Sequence, residues 1–212
     1  YTHAGSVQHD LEIIKNVSAT HGMRYTKHGT FGNNFTPKVA LMYAPGNFRF
    51  RAAYSRGFRA PGLDELYYHY FKIMGKRPVI TFGNTNLKAE SSNYVSLSAE
   101  YSNKFLTLSV MVYMNFVDNM IVKENITVDD AVRAELAQQF PEATADQLAQ
   151  LKTYGHYINS NKGVVRGLQA NATVSVTNDL SLMINYAYTN GRSKNAGTWT
   201  VLERTFKNSL TA

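Results

Sequence analysis

Tyr67, Tyr68, His69 and Tyr70 form the densest run of side chains able to do chemistry in this chain. An imidazole nitrogen or a tyrosinate oxygen suits haem iron as a ligand, and neighbouring aromatic rings pack on flat ligands. The same run also reads as an ordinary aromatic loop with a histidine in it. His156 is a second isolated imidazole, whereas His3, His9, His21 and His28 show no metal-ligand spacing. Asp64-Glu65 and Asp129-Asp130 are adjacent carboxylate pairs, and the second suits a helix N-terminus. The sequence holds no G-x-S-x-G, no H-E-x-x-H and no glycine-rich phosphate loop, so an enzyme is not expected. With 0 Cys, a disulfide framework and thiolate metal sites are excluded.

The elements that must position these groups read as strands. Phe48, Phe50, Ala52 and Tyr54 alternate with Arg49, Arg51, Ala53 and Ser55 just before the aromatic run. Val95, Leu97, Ala99 and Tyr101 alternate with Ser96, Ser98 and Glu100 after it. Period-two patterning of this kind marks a strand with two unlike faces. It recurs over residues 17–28, 38–43, 106–116, 164–177 and 180–189, the fourth of these after strand pattern returns at Tyr157. With a strand end over residues 3–13 and a last strand over about 199–205, about nine strand segments are expected. Lys15-Asn16, Pro45-Gly46, Ser102-Asn103 and Asn178-Asp179 read as tight turns. Residues 29–34, 58–90, 125–152 and 191–199 read as longer loops. The third of these carries a helical hairpin over about 127–152, with Thr127 expected as the first N-cap and a Thr144/Gln147 capping box for the second helix.

Composition narrows the class. The 212 residues include 14 Tyr and 11 Phe but 1 Trp, and 17% are charged. The net charge of +7 is scattered through strands and loops rather than gathered on one helix or tail, which argues against nucleic acid as a partner. No stretch of about 18 apolar residues exists to form a membrane-spanning helix. Short turns at one end and long loops at the other suit an all-β, antiparallel transmembrane barrel portion. Tyr25, Tyr43, Tyr54, Tyr101 and Tyr188 lie near the strand ends on the apolar faces, as an aromatic girdle would. Because an arginine or lysine at the lipid midplane costs about 2–4 kcal/mol, Arg24, Lys38, Arg49 and Arg51 are expected to face an enclosed interior. Arg166 falls on the apolar side and is expected at the outer rim, where it can snorkel. The chain begins at Tyr1 and stops in mid-pattern at Ala212, and reads as an internal piece of a longer protein.

The long loop carries a resemblance. Ser55-Arg56-Gly57-Phe58-Arg59-Ala60-Pro61, with Leu63 and Glu65-Leu66-Tyr67, resembles the "S-x-G-F-R-A-P-x-L-x-E-L-Y" stretch of TonB-dependent outer-membrane receptors. Gly83-Asn84-Thr85-Asn86-Leu87-Lys88-Ala89-Glu90 is similar to their "G-N-P-x-L-K-P-E", with Thr85 and Ala89 in place of the prolines. Gly22-Met23-Arg24-Tyr25 resembles "G-x-R-Y", and Tyr157-Ile158-Asn159 followed by Gly163 to Gln169 resembles "Y-x-N … G-x-E", with Gln169 in place of the Glu. The motif residues singled out are Phe58, Arg59, Ala60, Pro61, Asn84, Asn86 and Leu87.

The resemblance implies that residues 1–212 belong to a barrel of about 22 strands whose lumen is plugged by an N-terminal domain outside this chain. It implies the outer membrane of a Gram-negative bacterium, with membrane lipid and, through the plug, the TonB complex as partners. A surface lipoprotein is a further candidate partner. It implies active uptake of a scarce chelate, with haem, cobalamin and iron–siderophores left open and no intrinsic cofactor. If haem is the ligand, the resemblance makes His69 an axial metal ligand, with Tyr67, Tyr68 and Tyr70 around it and His156 a candidate second ligand. The competing readings are a passive porin-like channel and a soluble β-rich adhesin or binding module.

Overall fold

The computed structural model describes residues 1–212 except 76, 178, 179, 196, 203–206 and 212, and leaves aside the side chains of 161 and 195. In chain order the elements are β1 (Thr2–Ile14), β2 (Val17–His28), β3 (Gly32–Tyr43), β4 (Phe48–Arg59), α1 (Leu63–Tyr67), β5 (His69–Met74) and β6 (Arg77–Phe82). There follow β7 (Glu90–Ser102), β8 (Leu106–Thr127), α2 (Asp130–Gln139), α3 (Ala145–Gln150), β9 (Thr153–Ser175), β10 (Ser181–Asn195), β11 (Thr198–Val201) and β12 (Asn208–Thr211). They divide into two compact units. Unit 1 is Tyr1–Arg59, Glu90–Met120 and Asn161–Ala212; unit 2 is Ala60–Ala89 and Ile121–Ser160.

Unit 1 is an antiparallel meander. Strand follows strand in the order β1-β2-β3-β4-β7-β8-β9-β10-β11, with β12 also on β10. Tight turns close it at Lys15-Asn16, Pro45-Gly46 and Ser102-Asn103, where the sequence places them. Asn16 (φ 66°) and Gly46 (φ 58°) take the left-handed conformation that two of these turns need. The Asn103 Oδ1 accepts the amides of Phe105 and Leu106 at 2.9 and 2.8 Å, an Asx turn. β1 to β4 have 12 or 13 residues each, more than the about 9–11 that a tilted span requires.

Register places the two faces as expected. Val39, Tyr54, Val95 and Met114 share one cross-strand row, and Leu41, Ala52, Leu97 and Val112 share the next. These side chains are not covered by a second sheet: Val39, Leu41, Phe50, Leu97 and Val112 are each more than 40% exposed. Near the tight turns Phe48 meets Tyr101 at 5.0 Å and Phe50 at 6.1 Å, and Phe50 meets Tyr43 at 6.4 Å between ring centroids. That cluster is an aromatic girdle at one end of the apolar band. The opposite face is polar. Arg49 pairs with Glu100 at 2.5 Å, Lys38 donates to Gln8, and Thr20 donates to Asp10 at 2.5 Å.

Several elements differ from expectation. Residues 32–34 are not loop: β3 starts at Gly32, and Asn33 and Asn34 pair with Lys27 and Thr26. Their polarity reflects strand that runs beyond the apolar band. His28 Nδ1 accepts the Thr30 and Phe31 amides at 3.2 Å and tightens that hairpin. Residues 191–195 likewise continue β10, which pairs with β11. Thr127 does not cap α2; it ends β8, and Asp129 accepts the Val132 amide at 2.8 Å in its place. The Thr144/Gln147 capping box is present. The segment expected from Tyr157 begins at Thr153. Among the described residues there are twelve strands, because β5 and β6 form inside the long loop and the last segment is β11 plus β12. The Asn178-Asp179 turn and the end of the strand expected over 199–205 lie outside the described residues.

Unit 2 holds a buried apolar core. Ile80, Val128, Leu136, Phe140, Leu148 and Leu151 pack together, with Phe71, Phe82, Val132, Ala143 and Tyr154 against them. Phe140 and Ile80 are each 1% exposed. This core draws on both excursions of the chain, residues 60–89 and 121–160.

Candidate functional site

The ligand-binding candidates expected from sequence, Tyr67, Tyr68, His69, Tyr70 and His156, lie in unit 2. The β5–β6 hairpin carries His69 and Tyr70, with Gly75 (φ 67°) at its turn, while Tyr67 ends α1 and His156 lies on β9. β6 continues into a short parallel pairing with β9, Thr81 with Gly155 and Phe82 with His156. His69 lies opposite Phe82 on the other side. Paired residues in a sheet share a face. His69, Phe82 and His156 therefore form one cross-strand row, with Phe82 between the two histidines.

His69 stacks on Phe140, centroids 4.3 Å apart and planes 19° from parallel, and meets the edge of Phe82 at 5.5 Å. Phe82 in turn meets Tyr154 at 5.5 Å with perpendicular planes. The His69 side of the hairpin thus faces the apolar core. Tyr70 pairs with Thr81 on the opposite face of the sheet and lies 5.2 Å from Tyr68. The four consecutive residues are split: His69 on one face, Tyr68 and Tyr70 together on the other, and Tyr67 at the end of α1, 67% exposed. His156 is half-buried. Among the described residues no group of three or more His, Cys, Asp or Glu could hold a metal ion.

The motif residues take structural positions. Arg59, the last residue of β4, grips Glu90 with two bonds, Nε to Oε2 at 2.6 Å and Nη2 to Oε1 at 3.0 Å. This bidentate arrangement fixes the ends of β4 and β7. Phe58 lies opposite Ser91. In unit 2, Ala60 and Pro61 lead into α1, whose Glu65 carboxylate accepts the Gly62 amide at 2.8 Å. The Gly83 amide donates to the Tyr68 carbonyl at 2.6 Å and the Asn84 amide to the Glu65 carbonyl at 2.8 Å, which ties α1 to the end of β6. The Asn84 side chain donates to the Tyr157 carbonyl at 3.0 Å and accepts the Asn86 amide at 2.9 Å. Leu87 is buried. Asn159 accepts the Lys88 amide at 2.7 Å and donates to the Lys88 carbonyl at 2.9 Å.

Sequence reading missed Phe140 and Phe82 as partners of His69. Phe140 stands just before Pro141, where a helix must end, but nothing in the sequence ties it to residue 69. Burial, with the Glu135 carboxylate adding to it, raises the Tyr154 phenol above its ordinary value. A row of aromatic and imidazole rings over an apolar core can pack on a large ligand. The two exposed phenols, Tyr67 and Tyr68, can stack and donate hydrogen bonds.

Comparison with known proteins gives the context. Residues 1–208 match the family described as TonB dependent receptor-like, beta-barrel. The ferric enterobactin receptor of Pseudomonas aeruginosa is 28% identical over 209 residues, which are 95% of this chain and 26% of that protein. The iron-regulated outer membrane virulence protein of Vibrio cholerae is 26% identical over 196 residues, 90% of this chain and 28% of that protein. The ferrienterobactin receptor of Escherichia coli is 24% identical over 190 residues, 85% of this chain and 23% of that protein. The chain spans about a quarter of the length of these curated relatives. The crystal structure of the siderophore receptor PirA from P. aeruginosa superposes with a TM-score of 0.69 at 23% identity, over 91% of this chain and 36% of that one.

Proposed function

The chain belongs to the β-barrel family of TonB-dependent receptors, and on that premise we propose that the complete protein is an outer-membrane receptor for a ferric siderophore of the enterobactin kind, with uptake driven through TonB. The observation that carries this reading is the agreement among the relatives: those described above are named for ferric enterobactin or for iron regulation. That agreement ranks a ferric siderophore ahead of haem and cobalamin. TonB dependence in the family favours active uptake over a passive channel. The uncovered apolar face of unit 1 supports contact with lipid and disfavours a soluble adhesin. In this reading residues 1–212 are part of the barrel domain, residues 127–152 are an outer-loop insert, and the plug domain that engages TonB lies outside this chain. Tyr67, Tyr68, Tyr70, His69 and His156 are candidate contacts for the chelate.

The test is uptake. The full-length protein, expressed in an Escherichia coli strain lacking its own ferric enterobactin receptors, should restore accumulation of radioiron from ferric enterobactin. Loss of TonB should abolish it. Restoration with haem or cobalamin but not with ferric enterobactin would overturn the ligand assignment, and accumulation that survives loss of TonB would overturn the energy coupling.

A further inference from the structure

The apolar face of unit 1 is not even. In the row Leu41, Ala52, Leu97 and Val112, Ala52 bears a methyl between larger neighbours, and Ala99 does the same one row nearer the tight turns. Two adjoining depressions of about 460 and 580 Å³ result, and they share Leu41, Ala52, Leu97 and Val112 as lining. Phe50 bounds this trench at the end near the tight turns and Tyr54 at the other. They stand four positions apart along the strand, about 13 Å.

Arg56 stands two residues beyond Tyr54 on the same strand, so it projects on the same face. Its side chain is exposed and makes no hydrogen bond or ion pair with any described residue. Asn93 lies directly opposite it. The Asn93 Oδ1 accepts the Tyr54 hydroxyl at 2.8 Å, which leaves its amide N–H groups to donate. The same face carries two more such arginines. A Cβ at Gly167 would lie 2.6 Å from the tip of Tyr113, a residue of the polar face, so Gly167 is on the polar side and Arg166 beside it is on the apolar side. Arg192 pairs in register with Val164, two residues from Arg166, and shares that side. Both are exposed and make no ion pair with any described residue.

A guanidinium at the edge of an apolar band seeks a polar partner, and its planar fork matches phosphate oxygens. We propose that this face of unit 1 binds a phosphate-bearing acyl lipid of the outer leaflet. One acyl chain fills the trench over Ala52 and Ala99, and the phosphate sits between the Arg56 guanidinium and the Asn93 amide. Charge complementarity and the continuity of the trench with the lipid-facing band argue for this occupant. Arg166 and Arg192 extend the same cationic rim for neighbouring headgroups. The inference rests on the membrane placement proposed above and not on the identity of the chelate.

The full-length receptor, delipidated in detergent, is offered dioleoyl phosphatidate, dioleoylglycerol or inorganic phosphate, and retention is read by native mass spectrometry. Phosphatidate should be retained over dioleoylglycerol by about fivefold or more, and inorganic phosphate should not be retained. Arg56→Gln should remove about fivefold of the phosphatidate retention, and Arg56→Lys should keep most of it. Ala52→Phe should lower retention of both lipids by filling the trench. Arg49→Gln, on the polar face and outside the trench, should change neither. Heat-modifiable migration on gels confirms that each variant is folded. Equal retention of phosphatidate and dioleoylglycerol, or an Arg56→Gln receptor indistinguishable from the parent, overturns the proposal. If either occurs while radioiron uptake persists, the siderophore reading stands and the lipid site falls; a receptor that never enters the outer membrane sinks both.

Discussion

The imidazole of His69 lies flat against the phenyl ring of Phe140, with 4.3 Å between centroids and 19° between planes. Residue 69 belongs to one excursion of the chain and residue 140 to the other, so this stack is one of the bonds that make them a single unit. Phe140 also reaches Phe71 and Phe82, at 6.0 and 5.5 Å.

Phe140→Ala should therefore uncouple the excursions. Truncating a buried phenylalanine costs about 3–5 kcal/mol. Amide hydrogen exchange in the intact receptor should show lost protection in α2, α3 and the β5–β6 hairpin together. Loss confined to α2 would mean that the hairpin does not depend on this core.

The helix start provides a sharper contrast. Asp129→Ala removes the side chain that accepts the Val132 amide and should cost unit 2 about 0.5–2 kcal/mol. Thr127→Ala, at the end of β8, should cost less. Exchange rates at residues 131–133 separate the two.

Gly83 is a close-approach glycine. A Cβ there would lie 2.5 Å from the Tyr68 amide nitrogen and 2.7 Å from the Leu66 carbonyl oxygen, both backbone atoms that cannot swing away. Gly83→Ala should push α1 from the end of β6 at a cost of about 1–3 kcal/mol. Faster proteolysis between residues 60 and 70 is the expected sign, and an unchanged cleavage pattern would mean that the backbone relaxes freely.

Tyr154 makes unit 2 sensitive to alkali. Burial raises its phenol above the ordinary 10.0, and the nearby Glu135 carboxylate adds to the effect. The folded form keeps this proton to higher pH than the unfolded chain does. Its contribution is fully present below the ordinary value and is lost as pH rises through the folded value. Protease susceptibility of residues 130–150 should rise across that window in the parent and less steeply in Tyr154→Phe.

How much of this was legible depends on which surface a residue meets. In unit 1 one face is polar and the other apolar, so alternation along Phe48 to Ser55 or Val95 to Tyr101 reports the strand directly. Alternation fades where a strand leaves the apolar band, which is why Asn33 and Asn34 read as loop. In the β5–β6 hairpin both faces matter. Ile80 and Thr81 are adjacent and both buried, one in the core and one beneath the sheet, so no period shows. The Gly75 turn was a weak local signal for that hairpin. The parallel pairing of β6 with β9 joins residues too far apart in the chain to leave any local trace. The chemistry of the aromatic run was visible as composition, but its division between two faces was not, because that depends on the pairing of β5.

The core shared by residues 60–89 and 121–160 has a consequence for engineering. Ile80 comes from the first stretch and Leu136, Phe140, Leu148 and Leu151 from the second. A chimera that transplants one stretch onto another receptor leaves half an oily interface facing water. The two stretches should therefore move between scaffolds only as a matched pair of cassettes, inherited or grafted together.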